Sequence, residues 1–304
     1  MRKSSAVLAT LSLAALALTG CTAGPTFDGA ACDRTTGASG IADSVTATGD
    51  VGDKPDVEVF APVHVTKTTF ADVVTGDGPA VTSGSQGLVA EVSIFDGSTG
   101  EQVFETAYDA GQSAVHTPDY WSTLSPGLGA VFQCATEGSR IVAALTAEDF
   151  GEQNVQGFGF GKDDSAVFVI DVVDVYLPKA EGALQFNDAQ GLPTVVRAAD
   201  GTPGIIVPDS EAPDKAVTQT LIKGDGPEVK EGDTLVTNFT VVSWDDKTVT
   251  NSTWGKEPSI AAAAKEVVGA TVGSQLLLVM PGTDGGSASV VVMDILGIAP
   301  VPTQ

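Results

Sequence analysis

Between Leu88 and Phe95, the side chains of Leu88, Ala90, Val92 and Ile94 alternate with those of Val89, Glu91, Ser93 and Phe95. A period of two puts each set on its own face of a pleated strand, so this segment is predicted to be a sheet strand. Leu235, Thr237, Phe239 and Val241 keep the same period later in the chain. A polar turn follows each run, Asp96-Gly97-Ser98-Thr99-Gly100 after the first and Asp245-Asp246-Lys247 after the second, which suits hairpins. Residues 141–145 and 276–280 read as further strands. The near-continuous apolar runs 166–175 and 289–298 read as strands buried on both faces. Helical patterning is confined to 124–134 and 260–268, the latter seeded by Ala261 to Ala264. One short helix per half, packed on an antiparallel sheet, makes a β-rich α+β fold. Residues 45–70 and 194–221 have strand character broken by Pro and Gly, as in edge strands or an extended lead-in.

The two halves are copies of one unit. Residues 76–84, Gly-Asp-Gly-Pro-Ala-Val-Thr-Ser-Gly, match 224–232, Gly-Asp-Gly-Pro-Glu-Val-Lys-Glu-Gly, at six of nine positions. The same spacing of 148 (224 less 76) pairs Pro55 with Pro203, Val57 with Ile205 and Val59 with Val207. Near the end, Val167-Phe-Val-Ile-Asp171 matches Val290-Val-Val-Met-Asp294 at a spacing of 123 (290 less 167), so the second copy is shorter inside by 25 residues. Ordered matches at both ends of a unit predict tandem domains, at 45–180 and 194–304, with the polar stretch 181–193 as linker.

The N-terminus changes the compartment. Arg2 and Lys3 precede an apolar run from Ala6 to Leu18, too short to span a bilayer but suited to a signal peptide. The run ends in Leu18-Thr19-Gly20-Cys21, which resembles a bacterial lipobox. That resemblance implies removal of 1–20, lipid on Cys21 and an extracytoplasmic chain held at the outer face of the cell membrane. The alternative is ordinary secretory cleavage near Ala23. Residues 21–44, rich in Gly, Ala, Thr and Ser, then read as a tether. Two further thiols, Cys32 and Cys134, favour one disulfide in an oxidising compartment, with a buried free Cys134 as the alternative.

Charge and chemistry narrow the function further. The chain carries 15 basic and 39 acidic residues, a formal charge of −24, and no Lys/Arg cluster offsets it. Such a surface repels phosphate backbones, which excludes nucleic acid as a partner. The two histidines, His64 and His116, show no ligand-like spacing, and neither a metal nor a cofactor is expected.

The run Ile222-Lys-Gly-Asp-Gly-Pro-Glu-Val-Lys-Glu-Gly-Asp-Thr-Leu-Val-Thr-Asn-Phe239-Thr resembles the opening of FKBP-type peptidyl-prolyl isomerase domains. Those domains begin with a Gly-Asp-Gly turn and a strand ending in His-Tyr-Thr. Val268-Gly-Ala-Thr-Val-Gly-Ser274 resembles the family's helix-to-strand turn, and Leu278-Val-Met-Pro281 its next strand. In the first copy, Val103-Phe104-Glu105 resembles the family's Val-Phe-Asp, Leu124-Ser-Pro-Gly-Leu128 its Val-Ile-x-Gly-Trp, and Phe150-Gly151 the Tyr-Gly of its pocket-closing loop.

The resemblance implies two tandem FKBP-like domains and prolyl isomerisation of proline-containing segments of exported proteins, with the membrane met only through the lipid. It casts Phe104, Glu105, Ser125 and Phe150 as catalytic residues, the backbone N–H of Ser125 being the peptide donor. Val92, Leu124, Leu128 and Phe239 are cast as substrate-binding residues. Several positions depart from the family: Leu128 replaces the Trp floor, Val92 the strand Tyr, and Phe150 keeps a ring without its hydroxyl. In the second copy Thr250 and Asn251 replace the aromatic and the acid, and the closing loop shrinks to 282–287. Catalysis is therefore expected mainly in the first copy. A non-catalytic envelope protein that retains the fold for peptide binding or spacing is the alternative.

Overall fold

Two antiparallel sheets carry the repeat. The computed structural model describes residues 25–300, apart from 33, 35–39, 110–112, 187–188 and 283–285. The signal segment and Cys21 lie outside the described residues.

A small hairpin of β1 (Thr26–Phe27) and β2 (Ala30–Ala31) precedes a ribbon of β3 (Val45–Thr48) and β4 (Asp56–Val59). The first sheet follows, with β5 (Thr69–Val74), β6 (Leu88–Asp96), β7 (Gln102–Glu105), β8 (Val115–His116), β9 (Arg140–Leu145) and β10 (Ala166–Val175). Its order is β5-β9-β10-β6-β7, with β8 also on β6. Helices α1 (Pro118–Leu124) and α2 (Leu128–Phe132) lie between β8 and β9, and α3 (Ala147–Phe150) and α4 (Glu152–Phe158) between β9 and β10.

The second half repeats this plan. After β11 (Ala183–Leu184) comes a ribbon of β12 (Thr194–Arg197) and β13 (Pro203–Ile206). Then come β14 (Val217–Lys223), β15 (Thr234–Ser243), β16 (Val249–Ser252), β17 (Ser259–Ala262), β18 (Gln275–Met280) and β19 (Ser289–Ala299). The order β14-β18-β19-β15-β16, with β17 on β15, reproduces the first sheet strand for strand, and β11 adds an edge beside β14.

The repeated Gly-Asp-Gly-Pro motif has a structural job in both copies. Gly76 donates its N–H to Ser139 Oγ at 2.9 Å, and its carbonyl accepts from Thr136 Oγ1 at 3.1 Å. Gly224 makes the same pair with Ser274 Oγ at 3.0 Å and Thr271 Oγ1 at 2.6 Å. A Cβ at either glycine would run into the backbone of the facing loop, at Glu137 or Val272, so only glycine fits this close approach.

Local structure departs from expectation in four places. The helix expected over 124–134 is broken: α1 ends at Leu124, Ser125 is extended (φ −145, ψ 109), and α2 starts only at Leu128. Pro126 is the reason, because a residue before proline is driven out of the helical region. The helix expected over 260–268 does not form. Ser259–Ala262 instead pairs with β15, Ala261 opposite Leu235, since a run this short gains more from an open strand edge than from alanine propensity. The second sheet thus lacks a helix among the described residues. Part of the expected linker is sheet, with Ala183 and Leu184 paired to Lys223 and Ile222. Part of the expected tether is docked: Cys32 is bonded to Cys134, and Arg34 forms a bidentate pair with Asp72 at 2.7 Å while donating to the carbonyls of Val131 and Gln133.

Each sheet is covered on both faces. In the first, Leu88, Val92, Leu128, Phe132, Phe150 and Phe168 form the core under the helices, and Val142, Val167 and Val169 pack on the other face against the β3–β4 ribbon. In the second, Leu235, Val267, Leu276 and Ile295 form the aliphatic counterpart. A separate cluster joins the two halves, Val89, Val115 and Tyr176 packing on Val236, Leu296 and Ala299. Beside it Leu177 N–H donates to the carbonyl of Leu296 at 3.2 Å. The Tyr176 ring lies so close over Gly297 that a side chain there would collide with it.

Candidate functional site

A register row of the first sheet supplies the back of a cleft. Ile94 on β6 pairs with Phe104 on β7 and with Phe168 on β10, so the three side chains share one face. Val92 and Thr106 lie two residues from Ile94 and Phe104, on that same face. The helices supply the rest. Thr117 caps α1, its side chain accepting from Tyr120 N–H at 3.1 Å, with Pro118 in the first turn. That start sets Tyr120, Trp121 and Leu124 at spacings that share a helix face. The break at Pro126 lets α2 bring in Leu128, and α3 and α4 add Phe150, Asn154 and Phe158.

Together with His116 and Ser125 these residues line a cleft of about 300 Å³. Its floor is fully buried at Val92, Leu128, Phe150 and Phe168, while Phe104 (44% exposed) and Leu124 (46% exposed) form the rim. The rings interlock: Phe150 lies 5.8 Å from Phe158, 5.2 Å from Phe160 and 5.7 Å edge-on to Phe168, and Phe104 sits 6.5 Å edge-on to Phe158. His116 stacks on Tyr120 at 3.8 Å, and both meet Trp121 edge-on.

The polar groups of the cleft are mostly engaged. Asn154 Nδ2 donates to the Leu124 carbonyl at 2.6 Å and the Phe150 carbonyl at 2.7 Å, tying α1 to α3. Thr106 Oγ1 donates to the buried Glu91 carboxylate. The Ser125 N–H, expected to hold a peptide, donates instead to the Trp121 carbonyl at 2.9 Å as the helix C-cap. Trp121 Nε1 is the exception: it is buried without a hydrogen-bond partner among the described residues.

Six of the sequence-selected residues therefore meet in one cleft: Val92, Phe104, Leu124, Ser125, Leu128 and Phe150. Glu105 does not line it. It follows Phe104 on a strand, so its side chain projects from the opposite face. There Lys54 at 2.7 Å and Gln102 at 2.9 Å bond its carboxylate, and these hydrogen bonds hold its pKa below the usual carboxylate range. Phe239 is on β15 of the second sheet, its N–H donating to Thr253 Oγ1 at 3.0 Å. The sequence reading missed Tyr120, Trp121, His116, Asn154 and Phe158. The Thr117-Pro118-Asp119 start signal of α1 would have pointed to the first two.

Chemically, the cleft is an apolar, ring-walled recess without a nucleophile–base pair. Among the described residues no group of three His, Cys, Asp or Glu side chains could hold a metal ion. The equivalent face of the second sheet is closed by Val267 and partly by Ala263, Ala270 and Val272, and its ring is Phe239, which lies opposite Met293 of the same cluster.

No protein family and no curated protein matches the chain by sequence. Solved structures do match. The three FKBP domains of wheat FKBP73 align at 13% identity over 76% of this chain and 94% of that one, with a TM-score of 0.35. FkpA from Escherichia coli aligns at 19% identity over 38% of this chain and 55% of that one, with a TM-score of 0.26. A putative peptidyl prolyl cis-trans isomerase FKBP12 from Mycobacterium tuberculosis aligns at 21% identity over 29% of this chain and 88% of that one, with a TM-score of 0.24.

Proposed function

We propose that this chain is a lipid-anchored, extracytoplasmic prolyl isomerase or folding factor of the FKBP type, acting on proline-containing segments of exported proteins through the cleft of the first sheet. The observation that carries the reading is the cleft itself, a recess of about 300 Å³ with room for a proline ring, floored by Leu128, Phe150 and Phe168 and rimmed by Phe104 and Leu124. The Leu18-Thr19-Gly20-Cys21 sequence behind an apolar run supports the anchor.

Rotation about a prolyl bond crosses a barrier of ~18–20 kcal/mol and takes about tens to hundreds of seconds unaided. The barrier is lost amide resonance, so catalysis needs no covalent step. A planar amide carries separated charge that water stabilises, whereas the rotated amide carries less. Moving the bond from water into an apolar recess therefore favours the rotated form. A fixed donor at the rotating carbonyl or nitrogen adds to this. With the Ser125 N–H occupied and the Trp121 indole N–H buried, the reading rests on the apolar recess and assigns no fixed donor.

A second reading, a non-catalytic envelope protein that binds or spaces peptides, is favoured by the engaged Ser125 N–H and by Glu105 facing away from the cleft. Isomerisation of a Leu-Pro peptide by the exported chain, with Phe104→Ala beside it, separates the two. The isomerase reading expects acceleration that falls about tenfold in the variant, the worth of about 1.4 kcal/mol of contact with the rim ring. Binding of the peptide without acceleration would support the second reading.

A further inference from the structure

The ring-walled cleft does not end at Tyr120. The other side of that residue borders a second cavity, of about 270 Å³, which lies between the two halves of the molecule. The first half contributes Ser85, Thr117, Asp119 and Thr123 to it, and the second half contributes Gly255, Lys256 and Glu257. The second half is held in place here. Pro258 is buried, and it reaches Gly87 so closely that a Cβ there would lie 3.2 Å from the Pro258 ring. Glu257 Oε1 lies 3.4 Å from Nδ1 of His116, whose ring is stacked on Tyr120 in the wall of the first cleft.

From this continuity we propose that the inter-half cavity is an extension of the peptide site, and that it selects prolyl segments with a Lys or Arg near the proline. The proposal rests on the reading of the first cleft as a prolyl site. The occupant follows from charge. Two exposed carboxylates, Asp119 and Glu257, flank the cavity on opposite walls, and the one cation lining it among the described residues is engaged: Lys256 Nζ donates to the Ser252 carbonyl at 3.2 Å. A chain of formal charge −24 adds a long-range field of the same sign. An extended peptide rises ~3.3 Å per residue, so a segment with its proline against Phe150 and Leu128 passes over Tyr120 within a few residues. In this arrangement the second half shapes the specificity of a site whose chemistry sits in the first.

The test is anisotropy binding of labelled Leu-Pro peptides to the full exported chain at low salt. Peptides flanked by Lys on both sides are compared with peptides flanked by Glu, and isomerisation of the same peptides is followed in parallel. The proposal expects the Lys series to bind on the order of fivefold or more tightly than the Glu series, as two partly screened charge contacts allow. The preference should collapse toward unity in Asp119→Asn/Glu257→Gln and persist in Glu228→Gln/Glu231→Gln, which removes two exposed carboxylates of the second half that do not line the cavity. Equal binding of both series, or a preference that survives the first double variant or disappears in the second, overturns it. The outcomes separate the two readings. Charge-selective binding without isomerisation keeps this inference and removes the catalytic one. Isomerisation without charge selection does the reverse, and failure of all the peptides to bind removes both.

Discussion

Arg140 and Asp171 are both fully buried, and they pair through Nε–Oδ1 and Nη2–Oδ2 at 2.6 Å each. The same guanidinium donates at 2.8 Å to the carbonyls of Gly49 and Asp50, so one ion pair ties the β3–β4 connection to the sheet. Donation to the Asp171 carboxylate holds the Arg140 pKa above its ordinary value. In the second half Asp294 occupies the Asp171 position, but Gln275 stands where Arg140 does. Gln275 donates to Asp294 at 2.7 Å and accepts from Arg197 Nε at 2.7 Å, so the cation comes from β12 instead. Burial accordingly pushes the Asp294 carboxyl up and the Arg197 guanidinium down. Removing one member of a buried pair strands the other. Arg140→Met should cost about 3–5 kcal/mol in denaturant unfolding, and Arg140→Met/Asp171→Leu should recover much of that loss. A single variant within about 0.5 kcal/mol of wild type would contradict this role. The sequence showed Asp171 and Asp294 as matched positions of the repeat. It did not show Arg197 as the substitute, because Arg197 ends β12, the strand of the second ribbon that lies outside the matched positions.

At the scale of elements, strand period and repeat were legible while helix boundaries were not. The alternation through Val92 and Ile94 identified β6 and its inward face, and the family resemblance identified Phe104, Leu128 and Phe150. Together these found much of the floor of the cleft. What they missed arrives on β8, α1 and α4, elements absent from the expected pattern, and what they misassigned follows from a proline break and from strand alternation at Glu105. Strand irregularity matters too. The register of β10 against β6 slips between Val172 and Asp174, which sets Asp174 beside Glu137, whose carboxylate accepts from Val175 N–H at 3.0 Å. Burial first, then the negative charge of Glu137, raises the Asp174 pKa to about 6. An unfolded aspartate titrates near ~3.9, so the folded state binds this proton more tightly than the unfolded state does. The stability contributed is full below about pH 4 and is lost as pH rises through about 6. Asp174→Asn should therefore gain in melting temperature on wild type between about pH 4 and 7 and match it more closely at about pH 4. A difference that does not vary with pH would contradict the raised pKa.

At the scale of the whole molecule, the copies share a strand order and differ in what covers it. The first keeps helices over its sheet and with them a ring-lined cleft, and the second closes the same face with a short turn around Val267. On the proposed reading, prolyl isomerisation belongs to the first cleft alone. The direct measurement is kcat/KM for a Leu-Pro peptide on the intact chain, with Phe104→Ala and Phe239→Ala compared at equal folded concentration. Losing a rim ring that contacts the twisted amide should lower kcat/KM about tenfold, equivalent to about 1.4 kcal/mol, whereas Phe239→Ala should change it by less than about twofold. A larger loss for Phe239→Ala than for Phe104→Ala would place the activity in the second half and contradict the account.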